Sequence, residues 1–189
     1  EYWDRYDHHA IDLPTVPPIP IGELDPHSRR VHYICDLSRY QQTEERVRRA
    51  RHAYYAAISY IDDKVGQILR ALEGAGLVED TIILFTSDHG EMLGERGLWY
   101  KMNFFEQSAR VPLVMAGPGI PSGKVVRGPV SIVDVMPTIV ELAGLAPPAG
   151  VDGQSLVPAI AGQRQHEREQ DNAQRIIQGD HAVDLMLLE

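Results

Sequence analysis

The chain has 189 residues, of which 43% are hydrophobic and 24% charged, and this composition excludes collagen-like, coiled-coil and disordered chains. Its 18 basic and 27 acidic side chains give a formal net charge of −9, which argues against a nucleic-acid partner. The single cysteine, Cys35, excludes an internal disulfide, and no run of about 18 apolar residues predicts a membrane span. We therefore expect a cytoplasmic protein that binds neither nucleic acid nor membrane.

The prolines divide the chain into three regions. Five of them lie between Pro14 and Pro26, and this predicts extended backbone over residues 1–40, in a surface arm or a lid. Residues 41–162 form the predicted folded part, and residues 163–189 form a polar tail whose apolar end, 185–188, fits no earlier element. The chain begins at Glu1 with neither an initiator Met nor a leader, so we expect that it is part of a longer protein.

The middle of the chain has the apolar spacing of one long amphipathic helix. Between residues 41 and 73, apolar side chains recur three or four positions apart and so share one helix face. Thr43 is a weak N-cap, and Gly74 and Gly76 provide a C-terminal stop. The apolar face consists of Val47, Ala50, Tyr54, Ala57, Ile58, Ile61, Val65, Ile68, Leu69 and Leu72.

Seven arginines lie between Arg29 and Arg51. Four of them, Arg46, Arg48, Arg49 and Arg51, alternate with the apolar positions of the predicted helix. This spacing indicates a solvated helix face, and an anion-binding site is the alternative interpretation.

Two strands and a further helix follow. Residues 81–86 form an apolar, β-branched run without alternation, which predicts a central strand of a parallel sheet. Residues 111–116 predict a second strand, with Pro112 near its start. Asp134 is the predicted N-cap of a helix that Gly144 ends. This order of elements indicates an α/β fold.

The residues that follow the first predicted strand carry the chemistry. Asp88 and His89 stand where residues 81–86 end, and ligands of α/β sheets gather at that edge. A carboxylate beside an imidazole fits a divalent-cation site, but Asp-His-Gly is also an ordinary turn. Lys101, one of three lysines, lies among aromatic side chains. A partly desolvated ammonium there would bind a sulfate or phosphate oxygen, and a lysine extending from an aromatic surface is the alternative.

Several short motifs along the chain occur in a characteristic order. Residues 54–66, 80–83, 87–90, 108–113, 133–138 and 152–156 resemble the sulfatase family of the alkaline phosphatase superfamily. Residues 25–28 and 93–102 are most similar to its choline-sulfatase branch. The resemblance covers residues 2–162. It implies an α/β fold that forms part of an alkaline-phosphatase-like mixed sheet flanked by helices.

The resemblance also implies a role for individual residues. Asp88 and His89 correspond to metal ligands for Ca²⁺ or Mn²⁺, with Mg²⁺ as an alternative, and Lys101 corresponds to the group that binds the transferred sulfate. The family's nucleophile is a formylglycine made from Cys or Ser in a Cys/Ser-x-Pro-x-Arg motif. Cys35 lacks this context, so we expect the formylglycine in an N-terminal half that the chain lacks.

The expected function is therefore that of a sulfuric ester hydrolase fragment, inactive alone, whose complete enzyme acts on a small sulfate ester such as choline sulfate. A homo-oligomeric complete enzyme is an open alternative. A phosphonate or phosphate monoester hydrolase of the same superfamily is a second interpretation, because one metal-plus-lysine site binds either tetrahedral anion. A non-catalytic interaction module is the third.

Overall fold

The computed structural model describes residues 1–126, 128 and 130–163 and the backbone of residues 185–187. The chain divides into two compact units. Unit 1 comprises Glu1–Leu77 and Glu91–Ser108, and unit 2 comprises Val78–Gly90 and Ala109–Glu189. The predicted division at residues 40 and 162 stays a prediction. Most of the predicted polar tail, residues 164–184 and 188–189, lies outside the described residues.

Unit 1 begins with short turns and then a helix that the sequence interpretation missed. Helix α1 (Pro26–Ile34) starts at Asp25, whose carboxylate accepts the main-chain N–H groups of His27 and Ser28 at 2.9 and 3.0 Å. Asp at the N-cap followed by Pro at the first helical position favours a helix start. The prediction of extended backbone throughout residues 1–40 is therefore wrong over α1.

Helix α2 (Glu44–Gly74) confirms the long helix predicted over residues 41–73. Thr43 caps it by accepting the main-chain N–H of Arg46, and Glu44 and Glu45 place negative charge in the first turn, where the helix dipole favours it. After the helix, Gly76 has a φ of +68°, which turns the chain away.

The apolar face of α2 is only partly covered among the described residues. Val47 is buried, whereas Ile58, Ile61 and Ile68 are 49%, 50% and 67% exposed. The prediction that the arginines of this helix face solvent is wrong for Arg51, which is 8% exposed. Arg51 forms an ion pair with Asp12, a residue distant in the sequence, and this pairing offsets the cost of burying its guanidinium.

Unit 2 contains a mixed four-stranded sheet with the strand order β1-β2-β4-β3. The strands are β1 (Ile83–Thr86), β2 (Leu113–Ala116), β3 (Val125–Val126) and β4 (Leu185–Leu187). β1 and β2 are antiparallel, β2 and β4 are parallel, and β3 and β4 are antiparallel. The sheet confirms the predicted mixed type, and its β4 incorporates part of the apolar end of the chain.

β1 lies at one edge of this described sheet and pairs antiparallel with β2, so the predicted parallel pairing is wrong for this neighbour. Its central position in the complete domain stays a prediction. An apolar run indicates that both faces of a strand are covered. The position and direction of the neighbouring strands depend on residues elsewhere in the chain. β2 begins directly after Pro112, as predicted, since proline cannot donate to the ladder.

Two short helices, α4 (Val135–Leu142) and α5 (Val157–Ile160), follow β3 in unit 2. A third, α3 (Glu106–Ala109), precedes β2 in the sequence and ends where unit 1 ends. The core of unit 2 consists of Val111, Leu113, Met115, Val130, Leu156 and Ile160. None of the helices in residues 1–126 and 130–163 combines the length and hydropathy that crossing a bilayer requires.

The turn before α4 is capped by Ser131, whose main-chain N–H donates to Oδ2 of Asp134 at 2.9 Å to complete a capping box. Asp134 stands at the N-cap position of α4 as predicted, but it has helical backbone angles and its side chain forms no capping bond to that helix. Its second oxygen accepts the N–H of Gln154 at 2.9 Å. Gly144, with a φ of +76°, ends the helix as predicted.

Candidate active site

Asp88 and His89 lie in the turn that follows β1, in unit 2. The hydroxyl of Ser87 donates to the main-chain oxygen of His89 at 2.9 Å, and the N–H of His89 donates to Oδ1 of Asp88 at 3.0 Å. The turn interpretation and the metal-ligand interpretation are therefore compatible, because the turn itself sets the direction of both side chains. Asp88 is 82% exposed and His89 34% exposed at the side chain.

The tautomer of His89 follows from its neighbours. Nδ1 lies 2.8 Å from the main-chain oxygen of Gly90, and because a carbonyl only accepts, Nδ1 carries the proton. Nε2 lies 3.3 Å from Oδ2 of Asp88. In the neutral ring Nε2 therefore carries a lone pair directed to the same region as the carboxylate oxygen. A carbonyl that fixes the second ring nitrogen in this way is the usual support of a metal-ligating histidine.

The spacing of these two atoms fits one divalent cation. Metal–ligand distances of about 2.0–2.1 Å for Mg²⁺ and about 2.3–2.6 Å for Ca²⁺ place neighbouring octahedral ligands about 2.8–3.0 Å and about 3.3–3.7 Å apart. The 3.3 Å between Nε2 of His89 and Oδ2 of Asp88 agrees with the larger of these separations. Residues 1–126, 128 and 130–163 bring together no cluster of three or more His, Cys, Asp or Glu side chains suited to a metal. The pair therefore fits as part of a ligand set.

The electrostatics at Asp88 favour its charged form. Desolvation alone would raise the pKa of the Asp88 carboxyl, but an electrostatic contribution from His89 and the hydrogen bonds of nearby main-chain N–H groups outweigh it. The pKa of Asp88 is therefore below its ordinary value. A carboxylate that stays ionised is the form that binds a cation.

Lys101 lies in unit 1, at the end of a closed loop. The N–H of Met92 donates to the main-chain oxygen of Tyr100 at 2.9 Å, and the N–H of Gly94 donates to that of Leu98 at 3.0 Å. Met92 and Leu98, which belong to this loop, have fully buried side chains in the core of unit 1. The two main-chain hydrogen bonds and the two buried side chains therefore fix the positions where the loop begins and ends.

The main chain around Lys101 is held on its C-terminal side as well. The carbonyl of Lys101 accepts the N–H of Asn103 and the hydroxyl of Ser108. Nε2–H of His27, in α1, donates to the oxygen of Met102 at 2.7 Å, since that carbonyl can only accept. Lys101 itself is exposed, so the partial desolvation expected from its aromatic neighbours is wrong in the described residues.

Cys35 lines a cavity of about 420 Å³ in unit 1 with Trp99, Tyr100 and Arg46. Desolvation, and then the charge of Glu91, raise the pKa of the Cys35 thiol. A protonated thiol is a poor nucleophile, which agrees with the interpretation that Cys35 is not the nucleophile of the reaction.

Two glutamates that the sequence interpretation passed over support the Lys101 loop. Oε1 of Glu91 accepts the N–H groups of Tyr100 and Leu93, and the buried carboxylate of Glu95 accepts those of Thr15 and Val16. The sequence signal that could have indicated this role is a pair of acidic residues within a glycine-containing segment. Main-chain N–H groups in such a segment need hydrogen-bond acceptors.

The sulfatase family model matches residues 26–145. Over 165 residues the chain is 51% identical to the choline-sulfatase of Rhizobium meliloti (strain 1021), covering 86% of this chain and 32% of that protein. It is 44% identical over 119 residues to arylsulfatase K of Danio rerio, covering 63% and 23% of the two chains. This chain thus spans about a third or less of the curated relatives it matches.

Among solved structures, the chain matches a phosphonate monoester hydrolase from Silicibacter pomeroyi with a TM-score of 0.78 and 29% identity, covering 89% of this chain and 35% of that one. This similarity confirms the predicted alkaline-phosphatase-like fold class. Because the family model covers more than half of the 189 residues, this chain belongs to the sulfatase family of hydrolases.

Proposed function

We propose that this chain is the C-terminal part of a sulfuric ester hydrolase that acts on choline sulfate, and that it is inactive alone. The observation that carries the proposal is the Asp88–His89 pair, in which Gly90 orients the imidazole and leaves Nε2 3.3 Å from the carboxylate. The 51% identity to a choline-sulfatase supports choline sulfate as the substrate.

In this proposal Asp88 and His89 contribute two ligands to a divalent cation, either Ca²⁺ or Mn²⁺ with Mg²⁺ as the alternative. When bound, such a cation supplies positive charge to the oxygens of the ester. The ionised carboxylate of Asp88 supplies charge, and the Nδ1–H bond to Gly90 prevents the His89 ring from turning away.

Lys101 has a separate task in this proposal. Its ammonium binds a sulfate oxygen as a compact point charge, and it stabilises the charge that develops as the S–O bond breaks. The main-chain bonds at Lys101 and Met102 fix where the side chain starts. If the complete site also holds the ammonium, the charge needs no reorganisation during the reaction.

The chain is inactive alone because it lacks two requirements of the reaction. Ca²⁺ takes about 6–8 oxygen ligands and Mg²⁺ needs octahedral coordination, so Asp88 and His89 leave most positions to other residues. The Cys/Ser-x-Pro-x-Arg motif is absent from the sequence, and the raised pKa of Cys35 argues against that thiol as a substitute for formylglycine.

A chimeric enzyme tests the proposal: this chain replaces the matching third of the Rhizobium meliloti choline-sulfatase. We expect it to release inorganic sulfate from choline sulfate, and the chain alone to release none. A chimeric enzyme that unfolds cooperatively on heating and yet hydrolyses no choline sulfate would contradict the proposal.

The similarity to a phosphonate monoester hydrolase supports a second candidate function. The chimeric enzyme separates the two when kcat/KM is compared for choline sulfate and a phosphonate monoester. We expect the sulfate ester to give the higher value, and the reverse order would favour the second candidate. Activity of neither kind in the folded enzyme would favour a non-catalytic module.

A further inference from the structure

We propose that Glu91 is a positioning residue for Lys101, through hydrogen bonds that fix the shape of the loop between them. Oε1 of Glu91 accepts the main-chain N–H of Tyr100 at 2.7 Å and that of Leu93 at 3.3 Å. The inference rests on the proposed role of Lys101 in binding sulfate. It adds a residue that acts on Lys101 through the main chain.

The two N–H groups that Glu91 receives belong to residues with unusual backbone angles. Leu93 has a φ of +48° and Tyr100 a φ of +67°. Non-glycine residues adopt this left-handed region only where their surroundings enforce it. A single carboxylate oxygen thus holds both non-glycine residues in a conformation that neither prefers.

Tyr100 immediately precedes Lys101, so its backbone angles decide where the Lys101 side chain leaves the loop. If Tyr100 relaxed to a negative φ, its carbonyl would turn away from the N–H of Met92, with which it forms a 2.9 Å bond. The starting point of the lysine side chain would then move. Displacement of about 1 Å in a group that stabilises charge is enough to reduce a rate about 100-fold.

Burial also supports a role for the Glu91 carboxylate in the loop. Glu91 is half-buried, and its negative charge raises the pKa of Cys35 and of Tyr54 after the larger effect of desolvation. The carboxylate therefore lies near Cys35 and Tyr54 in unit 1. Its acceptor oxygen is directed at the loop, where two main-chain donors need it.

The test uses four variants of the chimeric enzyme: Glu91→Ala, Glu91→Gln, Lys101→Ala and the double variant Glu91→Ala/Lys101→Ala. We expect Glu91→Ala to lower kcat about 10- to 100-fold with a smaller change in KM. Glu91→Gln should restore most of the rate, because a carboxamide oxygen accepts the same N–H groups. The double variant should be no slower than Lys101→Ala, since both changes remove one function.

Exchange of the Tyr100 amide hydrogen gives a readout that does not depend on activity. We expect faster exchange in Glu91→Ala than in the parent, and near-parental exchange in Glu91→Gln. Glu79→Ala, an exposed glutamate in unit 2, is the matched control and should change neither exchange nor kcat. If Glu91→Ala fails to fold, Glu91→Gln still decides: a folded Gln variant as slow as Lys101→Ala would overturn the proposal.

The variants distinguish a wrong positioning role for Glu91 from a wrong sulfate-binding role for Lys101. If Lys101→Ala leaves kcat unchanged, the proposed role of Lys101 is wrong. If Lys101→Ala lowers kcat but Glu91→Ala does not, or if the two effects multiply in the double variant, Lys101 keeps its role and the positioning role of Glu91 is wrong.

Discussion

Oε1 of Glu95 lies 2.8 Å from the main-chain nitrogen of Thr15, across 80 positions of sequence. Oε2 of the same carboxylate accepts the N–H of Val16 at 2.9 Å, and the N–H of Arg96 donates to the oxygen of Val16 at 2.9 Å. Glu95 is 6% exposed. The proline-rich segment is therefore fastened to the loop that leads to Lys101, and whether it also serves as an arm or a lid stays a prediction.

The first prediction concerns the stability that Glu95 provides. Glu95→Ala leaves the N–H groups of Thr15 and Val16 without their acceptor, and hydrogen bonds to charged groups contribute about 1.5–3 kcal/mol each. We expect the unfolding free energy of the chimeric enzyme to fall by about 3 kcal/mol in denaturant titrations. The unfolding free energy of Glu95→Gln should lie between that of Glu95→Ala and that of the parent. A loss no larger than that of Glu79→Ala would show that the contact contributes little.

The second prediction concerns Asp88 and His89 as the proposed metal ligands. The chain alone should bind divalent cations weakly, because Asp88 and His89 are only two ligands, and calorimetric titration measures this. In the chimeric enzyme, Asp88→Ala should weaken binding about 100-fold or more, since the loss of even an outer-shell partner costs 10- to 100-fold. The imidazole of His89 should favour Mn²⁺ over Ca²⁺. Micromolar affinity of the chain alone that survives Asp88→Ala would contradict the assignment.

The third prediction concerns Lys101. Lys101→Ala in the chimeric enzyme should lower kcat by about 10²–10³, the effect of losing one preorganised charge-stabilising donor. Lys101→Arg should restore only part of the rate, because a planar guanidinium does not replace a compact ammonium. Lys124→Ala is the matched control at an exposed lysine and should change little. Equal losses in the two alanine variants would refute the anion-binding role.

The fourth prediction concerns pH and the buried Arg51. Desolvation raises the pKa of Asp12, but the hydrogen bonds from Tyr55 and Arg51 outweigh it and hold the pKa below its ordinary value. A lowered pKa means that this stabilisation is present above the unfolded pKa, about 3.9, and is lost as the pH falls through the folded pKa. The Tm of the parent should therefore drop below about pH 4 more steeply than that of Asp12→Asn.

The control for this pH dependence is Asp152→Asn, at an exposed aspartate in unit 2. It should leave the slope of Tm against pH unchanged. Parallel curves for the parent and Asp12→Asn between pH 7 and pH 3 would show that the Asp12–Arg51 pair has no role in acid stability.

The fifth prediction concerns the chain by itself. Ile58, Ile61 and Ile68 on α2 are about half-exposed or more, and exposed apolar faces promote association. We expect the isolated chain to self-associate in light scattering, and charged substitutions at Ile58 and Ile61 to reduce this. A monomer at high concentration with a sharp thermal transition would instead support a stand-alone module.

The elements that could be predicted from the sequence are those whose cause is local. The period of apolar residues predicts α2, Pro112 marks the entry to β2, and Gly144 ends α4, because spacing, ring geometry and a positive φ act within a few residues. The adjacency of Asp88 and His89 likewise needs only the turn that follows β1. The order of the motifs along the chain was sufficient to identify the family, and the family match over residues 26–145 confirms it.

Only the tertiary structure decided which partners meet across long separations. Three features depend on segments far away in the sequence. They are the edge position of β1 in the described sheet, the burial of Arg51 beside Asp12, and the hydrogen bond that the N–H of Thr15 donates to Glu95. The left-handed Tyr100 has no local signal either, since a tyrosine adopts that conformation only when its surroundings supply compensating contacts. The sequence pattern indicates the local conformation that a residue prefers. Burial and hydrogen bonding between distant segments decide where the fold overrides that preference.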